Sequence, residues 1–229
     1  MEAPVLFIIP GACSLGAQIS LEWLQIPYQI GITTPEIRQS AEFRWINPAG
    51  KVGALKDGCQ VIGENLAILL YLADKKANET ICPSTDEGGR VKVYQWLSYL
   101  SSTLHPVFQQ FNYPTRFVTE DYASSFQAQA LGRLQIVLQY IEDNLLASGY
   151  FIGEQPTIVD AQAYALLRWC RKHNRGENLV DLSELPKLSR FLDQMSQLDA
   201  VKNALAIEQS QPELAVESLF TGYFKFSAG

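Results

Sequence analysis

The sequence predicts an α/β N-terminal domain followed by an all-α C-terminal helical bundle, on three observations. Up to residue 80, short apolar runs alternate with helical stretches. From about Gly89 onward, helix follows helix. Between the two rhythms lies a polar, turn-forming segment, residues 75–89 (KKANETICPSTDEGG), which reads as a linker. The expected boundaries are 1–80 for the first domain, 81–89 for the linker and 90–229 for the helical domain, with an irregular tail from about residue 209.

Val5-Leu-Phe-Ile-Ile9 is a buried-strand pattern stopped by Pro10-Gly11, and Ser14 to Leu24 then carries Leu15, Ile19 and Leu21 to Trp23 at helical spacing. Tyr28 to Ile32 is a second strand, which makes the opening β-α-β. Residues 51–55 and 60–62 flank Asp57-Gly58, a dipeptide that favours a tight hairpin turn. Glu64-Asn65 then opens a helix through Lys76. In the second domain, Leu97, Leu100, Leu104, Phe108 and Phe111 form one apolar seam at helical spacing, and Leu131, Leu134, Leu138, Ile141 and Leu145 form another. Thr157-Ile-Val-Asp160 is a capping box with Asp in place of Glu, starting a helix that stops near Gly176.

Composition excludes several function classes. With 24 acidic against 18 basic side chains, a net charge of -6 and no Lys/Arg cluster, the 229-residue chain has no electrostatic footprint for nucleic acid. No apolar run approaches the roughly 20 residues needed to span a bilayer. The opening has no basic segment ahead of its apolar stretch, so a cytoplasmic protein is expected. Four scattered cysteines (Cys13, Cys59, Cys82, Cys170) and two histidines predict neither a disulfide framework nor a metal site.

Three places carry residues suited to chemistry. Cys13 falls between the first strand and the first helix, where unpaired amides and the helix dipole favour a thiolate; on position alone, a small buried hydrophobe is the simpler reading. Gly16 stands where a dithiol enzyme would place its resolving cysteine. Glu64 and Asn65 put a carboxylate and an amide at a helix start, where a ligand carboxylate can dock on free amides while Glu64 meets an ammonium group; ordinary capping is the alternative. His105 shares a helical face with Ser98 and Ser102, and Pro106 beside it removes a backbone donor, which predicts a kink or break there. His173 reads as a favourable helix C-terminal charge, and Cys59, Cys82 and Cys170 read as structural.

Taken together, these segments resemble the glutathione S-transferases, and within them the bacterial beta class, up to about residue 208. Phe7-Ile-Ile-Pro-Gly-Ala-Cys13-Ser-Leu15 is similar to the beta-class opening, and Asn47-Pro48 with Lys51-Val-Gly-Ala-Leu55 is similar to the segment that lies along glutathione. Gly63-Glu64-Asn65-Leu-Ala-Ile68 resembles the γ-glutamyl-binding helix start, residues 95–105 the helix that delivers a histidine, and Gly153 to Asp160 the capping motif. The resemblance implies a thioredoxin-like N-terminal domain, an all-α C-terminal domain and a homodimer, with glutathione as co-substrate and a small hydrophobic electrophile as partner. It implies that Cys13 and His105 act on the glutathione sulfur and that Val52, Gly53, Glu64, Asn65 and Ser98 bind the tripeptide. Phe108, Phe111 and Tyr113 are expected to line the electrophile pocket.

The chain departs from the pattern at three positions. Gly53 replaces a proline that is usually cis, so the 52–53 peptide is left either trans or cis. Ser98 stands where Asn is frequent, and Pro106 where Lys commonly follows the histidine. Conjugation of glutathione is the function the resemblance implies. Glutathione-dependent disulfide or peroxide reduction through Cys13, and a non-catalytic binding role on the same fold, are the alternatives.

Overall fold

A computed structural model describes residues 2–84, 88–171, 179–215 and 217–226 of the chain. The first strand, β1 (Val5–Ile8), is buried at every position, which is why its sequence is an unbroken apolar run. Helix α1 (Leu15–Trp23) returns the chain to β2 (Tyr28–Ile32), which pairs parallel with β1. Two short helices, α2 (Pro35–Gln39) and α3 (Ala41–Ile46), lead to β3 (Ala54–Asp57) and β4 (Gln60–Gly63). These two strands form an antiparallel hairpin, with Asp57 opposite Gln60. Its central residues are Gly58 and Cys59, and the positive φ of Gly58 is the conformation that a first central glycine provides at no steric cost. Helix α4 (Asn65–Lys75) closes the domain.

The second domain begins with α5 (Gly89–Tyr99), which runs through a π-helical turn at Leu100–Leu104 into α6 (His105–Asn112). The kink expected at Pro106 is thus a widened turn just before it. Helix α7 (Glu120–Asn144) packs on α6. Helix α8 (Ile158–Leu167) is buried along its whole length, as its composition demands. Its capping box is formed: Thr157 Oγ1 accepts from Val159 N at 3.2 Å, and Asp160 Oδ2 accepts from Thr157 N at 2.8 Å. A short 3-10 turn, Arg168–Cys170, ends it. His173 and Gly176 lie outside the described residues. Helices α9 (Pro186–Gln197) and α10 (Asp199–Glu208) complete the bundle.

Helix α1 joins the two domains. Its residues from Leu15 to Glu22 are all buried, because it lies against the sheet on one side and α8 and α10 on the other. A Cβ on Gly16 would come within 2.5 Å of Gln162 Oε1 and 2.9 Å of its Cα, so α1 and α8 approach this closely only because residue 16 has no side chain.

The tail departs from the irregular wrapping expected of it. Residues Phe220–Tyr223 form β5, which pairs parallel with β2 and makes the sheet five-stranded in the order β4-β3-β1-β2-β5. The edge that β2 would otherwise expose is thereby covered. Beyond β5, Phe224 and Phe226 stack on Phe7 at 5.5 and 5.6 Å between ring centroids, covering the face of the sheet that α1 leaves open. Buried Glu22 accepts from Tyr28 Oη at 2.6 Å and also receives the Ser218 hydroxyl, while Tyr223 Oη donates to the Ile207 carbonyl at 2.8 Å. Residues 219–226 therefore belong to the first domain's sheet. The linear pattern missed them because four residues are too few to show a period.

Removing residues 217–229 uncovers Phe7 and frees α10. The loss of two half-buried aromatic rings predicts a cost of about 3 kcal/mol, near the lower end for a buried Phe. In a domain of this size that corresponds to a thermal midpoint roughly 6–12 °C lower, measurable by circular dichroism. An unchanged midpoint contradicts a structural role for the tail.

Candidate functional site

Between the two domains lies a cleft of about 1140 Å³, lined by Gly11 to Cys13, Lys51 to Gly53, Glu64 and Asn65 from the first domain and by His105, Gln162 and Trp169 from the second. This exceeds the volume of most small-molecule pockets. Of the seven residues expected to act on or hold a ligand, six meet here: Cys13, Val52, Gly53, Glu64, Asn65 and His105. Ser98 does not. Its side chain is exposed and its carbonyl accepts from Ser102 Oγ at 2.8 Å, while Ser101 reaches the cleft wall. The cause is the π-helical turn between Ser98 and His105: the wider turn shifts the register, so positions seven apart no longer share a face.

The loop carrying Cys13 is stitched to the helical domain. Glu208, the last residue of α10, accepts from Gly11 N at 2.9 Å and pairs with Arg168 at 3.0 and 3.2 Å. Arg168 also donates to the Ala12 carbonyl at 3.3 Å, and Trp169 Nε1 donates to the Gly11 carbonyl at 2.8 Å. The Trp169 ring in turn packs 5.7 Å from His105 and edge-on to Phe108 at 5.2 Å. One side chain thus touches both the cysteine loop and the histidine.

Cys13 is only 7% exposed, and its surroundings correct the expectation of a thiolate. Burial pushes the thiol up from an ordinary value of 9.0 to about 11, assisted by nearby Glu64 and only partly opposed by a backbone hydrogen bond and Arg168. The helix end is present and uncapped by Ser14, and a backbone hydrogen bond favours the charged sulfur, but both act against a larger burial cost. Desolvation wins over the dipole here. Burial therefore favours the thiol over the thiolate at Cys13 near neutral pH.

Val52 and Gly53 precede β3, and the peptide between them is cis. A Cβ at residue 53 would sit 3.0 Å from Asn65 Oδ1 and 3.4 Å from Ser14 Cβ, so this stretch lies close against the start of α4. Glu64 holds a positive φ of 63°, which non-glycine residues seldom adopt, and leaves the first amides of α4 without a side-chain cap. A rarely populated backbone at a cleft points to a functional constraint. Asn65 Nδ2 donates to the Cys13 carbonyl at 3.2 Å and to Gln162 of α8, whereas Asn65 Oδ1 is buried with no hydrogen-bond partner. That oxygen is enclosed against Gly53, an unpaired buried acceptor at the start of α4.

His105 is largely buried, which holds its imidazole below the usual value; Glu64 opposes this shift and Lys51 adds to it. It is therefore neutral near pH 7. Phe108 and Phe111, expected in the pocket wall, pack inward as core, because both belong to the apolar seam. Tyr113, expected with them, does line the cleft, together with Phe117 and Trp169. Arg38, Lys51 and Arg116 outnumber Glu64 among the charges on the wall, so an acidic chain carries a basic cleft. Gln162 and Arg168 were not singled out in the sequence, although a lone Gln and Arg in so apolar a helix are signals of polar work inside the fold. Among the described residues, no His/Cys/Asp/Glu group is placed to hold a metal and no helix is long and apolar enough to cross a membrane.

In a Cys59→Ser background, alkylation of Cys13 by iodoacetamide should rise with pH toward about 11 and run about a hundredfold slower at pH 8 than for a free cysteine, two pH units being a hundredfold in thiolate. An inflection below pH 8, read by mass spectrometry, contradicts the buried-thiol account.

Residues 14–80 match the glutathione S-transferase N-terminal domain family and residues 103–199 the C-terminal domain family. A glutathione S-transferase of Xanthomonas campestris is 30% identical over 210 residues, covering 89% of this chain and 98% of that protein. The structure of a bacterial beta class enzyme of Sphingomonas chungbukensis superposes with a TM-score of 0.76 at 28% identity, covering 89% and 98% of the two chains. That of a sphingomonad glutathione S-transferase complexed with glutathione gives 0.75 at 28%, covering 90% and 98%. With both of its domains matched, and a two-domain cleft built as the beta-class opening implied, the chain belongs to the glutathione S-transferase family.

Proposed function

We propose that the protein conjugates glutathione to small hydrophobic electrophiles in the interdomain cleft. The observation that carries this reading is the convergence of Cys13, Val52, Glu64, Asn65 and His105 from two domains on one basic-walled cavity. Glutathione is a net anion at neutral pH, which suits that charge balance. Its γ-glutamyl ammonium pairs with Glu64, and its neighbouring carboxylate docks on the uncapped amides of α4. The peptide stretch runs beside Val52 and Gly53.

The tripeptide sulfur then lies toward Cys13 and His105. Because Cys13 keeps its proton, it serves as a hydrogen-bond donor to the glutathione thiolate and not as a competing nucleophile. The thiol proton of glutathione leaves to water as the thiolate forms. The electrophile rests on Tyr113, Phe117 and Trp169, all on the helical side of the cleft. With an aryl halide, the glutathione sulfur attacks the halide-bearing carbon, a C–S bond forms, the C–halogen bond breaks and halide departs. Holding both reactants in one cavity supplies much of the rate. Dithiol redox chemistry is disfavoured by packing, since a side chain at Gly16 would collide with Gln162.

The reading includes a cytoplasmic homodimer. Its support is four free cysteines and the large apolar side chains exposed along α5, Val91 and Tyr94 among them. The dimer predicts a light-scattering mass of twice the 25.6 kDa chain, and a single-chain mass contradicts it.

Retention on glutathione resin and turnover of a chromogenic aryl halide test the activity. Cys13→Ala is expected to keep conjugating. Glu64→Gln is expected to raise the KM for glutathione about tenfold or more, a charged hydrogen bond contributing roughly 1.5–3 kcal/mol. Absence of both retention and turnover in a folded protein overturns the reading, and disulfide reduction that Cys13→Ala abolishes, in a wild type that does not conjugate, assigns the site to redox chemistry.

A further inference from the structure

His105 opens α6, and one turn along that helix its Nε2 lies 3.1 Å from Gln109 Nε2. The other terminal atom of the same amide, Gln109 Oε1, accepts from Arg116 Nη1 at 3.2 Å. Arg116 is itself held over the Tyr113 ring, 4.0 Å from its centroid. A guanidinium offers five N–H donors and no acceptor, and it does not lose its proton in a protein. Gln109 therefore has one allowed orientation, with its oxygen toward Arg116 and its NH2 toward His105. An amide NH2 only donates, so the histidine nitrogen it meets must present a lone pair.

We infer that Arg116 and Gln109 are positioning residues that fix His105 as the neutral tautomer protonated on Nδ1. The ring's basic nitrogen is then occupied by Gln109, and the one N–H left to it is the Nδ1 proton. Toward a bound thiolate, His105 acts as a second hydrogen-bond donor beside the Cys13 thiol, and deprotonation of the incoming thiol falls to water. The charged groups acting on the imidazole are Glu64 and Lys51, with Arg116 and Tyr113 beyond Gln109, while Trp169 packs against the ring just past the end of α8. Burial favours the neutral ring that this relay requires. The role toward sulfur rests on the glutathione reading; the tautomer does not.

Long-range 1H–15N correlation spectra of the uniformly 15N-labelled full chain at pH 7.5 read the tautomer directly, and the signals lost in His105→Gln assign it. The expected wild-type spectrum has a protonated-type Nδ1 and a lone-pair-type Nε2. In Gln109→Glu the carboxylate accepts from both neighbours, and the pattern should reverse to Nε2–H. In Arg116→Met the amide is free to turn, and the two nitrogens should move toward an averaged shift. A wild-type Nε2–H or imidazolium pattern, or an unchanged pattern in Gln109→Glu, overturns the inference. Turnover of an aryl halide with the wrong tautomer defeats this inference alone, and the right tautomer without glutathione binding defeats the functional reading alone.

Discussion

The buried pair between Arg168 and Glu208 is the contact on which the arrangement of the cleft depends. Both side chains are almost fully enclosed, and each spends its remaining capacity on the loop before Cys13: Glu208 on the Gly11 amide, Arg168 on the Ala12 carbonyl. A buried ion pair seldom adds much stability over an apolar substitute, because desolvation offsets the attraction. Removing one partner is costly, since the other charge is left enclosed without compensation. What the pair contributes is position. The Cys13 loop of the first domain is placed by the last residue of α10 and the residue just past the end of α8, so the two domains cannot shift independently without breaking this contact.

The tail extends the same constraint. Helix α10 already packs on α1, and the tail ties it to the sheet as well: β5 adds to the sheet edge and Tyr223 reaches back to the α10 carbonyl at Ile207. Sheet, tail, α10, Glu208 and the Cys13 loop form a closed circuit. The cleft is therefore shaped by contacts far apart in sequence, Gly11 and Glu208 being 197 residues apart.

How much of this was legible in the sequence follows from the range of each interaction. The Val5–Ile8 strand, the Gly58 turn and the Thr157 cap were readable because each is decided by residues within a few positions. The cleft residues Cys13, Glu64 and Asn65 were readable from their places at helix starts and His105 from its place beside Pro106, all four with the family resemblance. At Cys13 the sequence left a thiolate and a small buried hydrophobe both open, because a helix end is a local signal while burial depends on everything packed around it. Ser98 failed for a different reason: spacing arguments assume 3.6 residues per turn, and the wider turn at Leu100–Leu104 breaks that count. Phe108 and Phe111 were given to the pocket although their own apolar seam already placed them inside.

In the proposed reading the cleft offers the sulfur two weak donors, with the positive charge of its wall kept for the ligand's carboxylates. A crystal structure of the protein with glutathione bound tests this most directly. The account predicts the γ-glutamyl ammonium within hydrogen-bonding distance of Glu64, and the tripeptide sulfur resting unbonded between Cys13 Sγ and the His105 ring. Glutathione seated elsewhere, or turned so that its sulfur points away from both side chains, would contradict it.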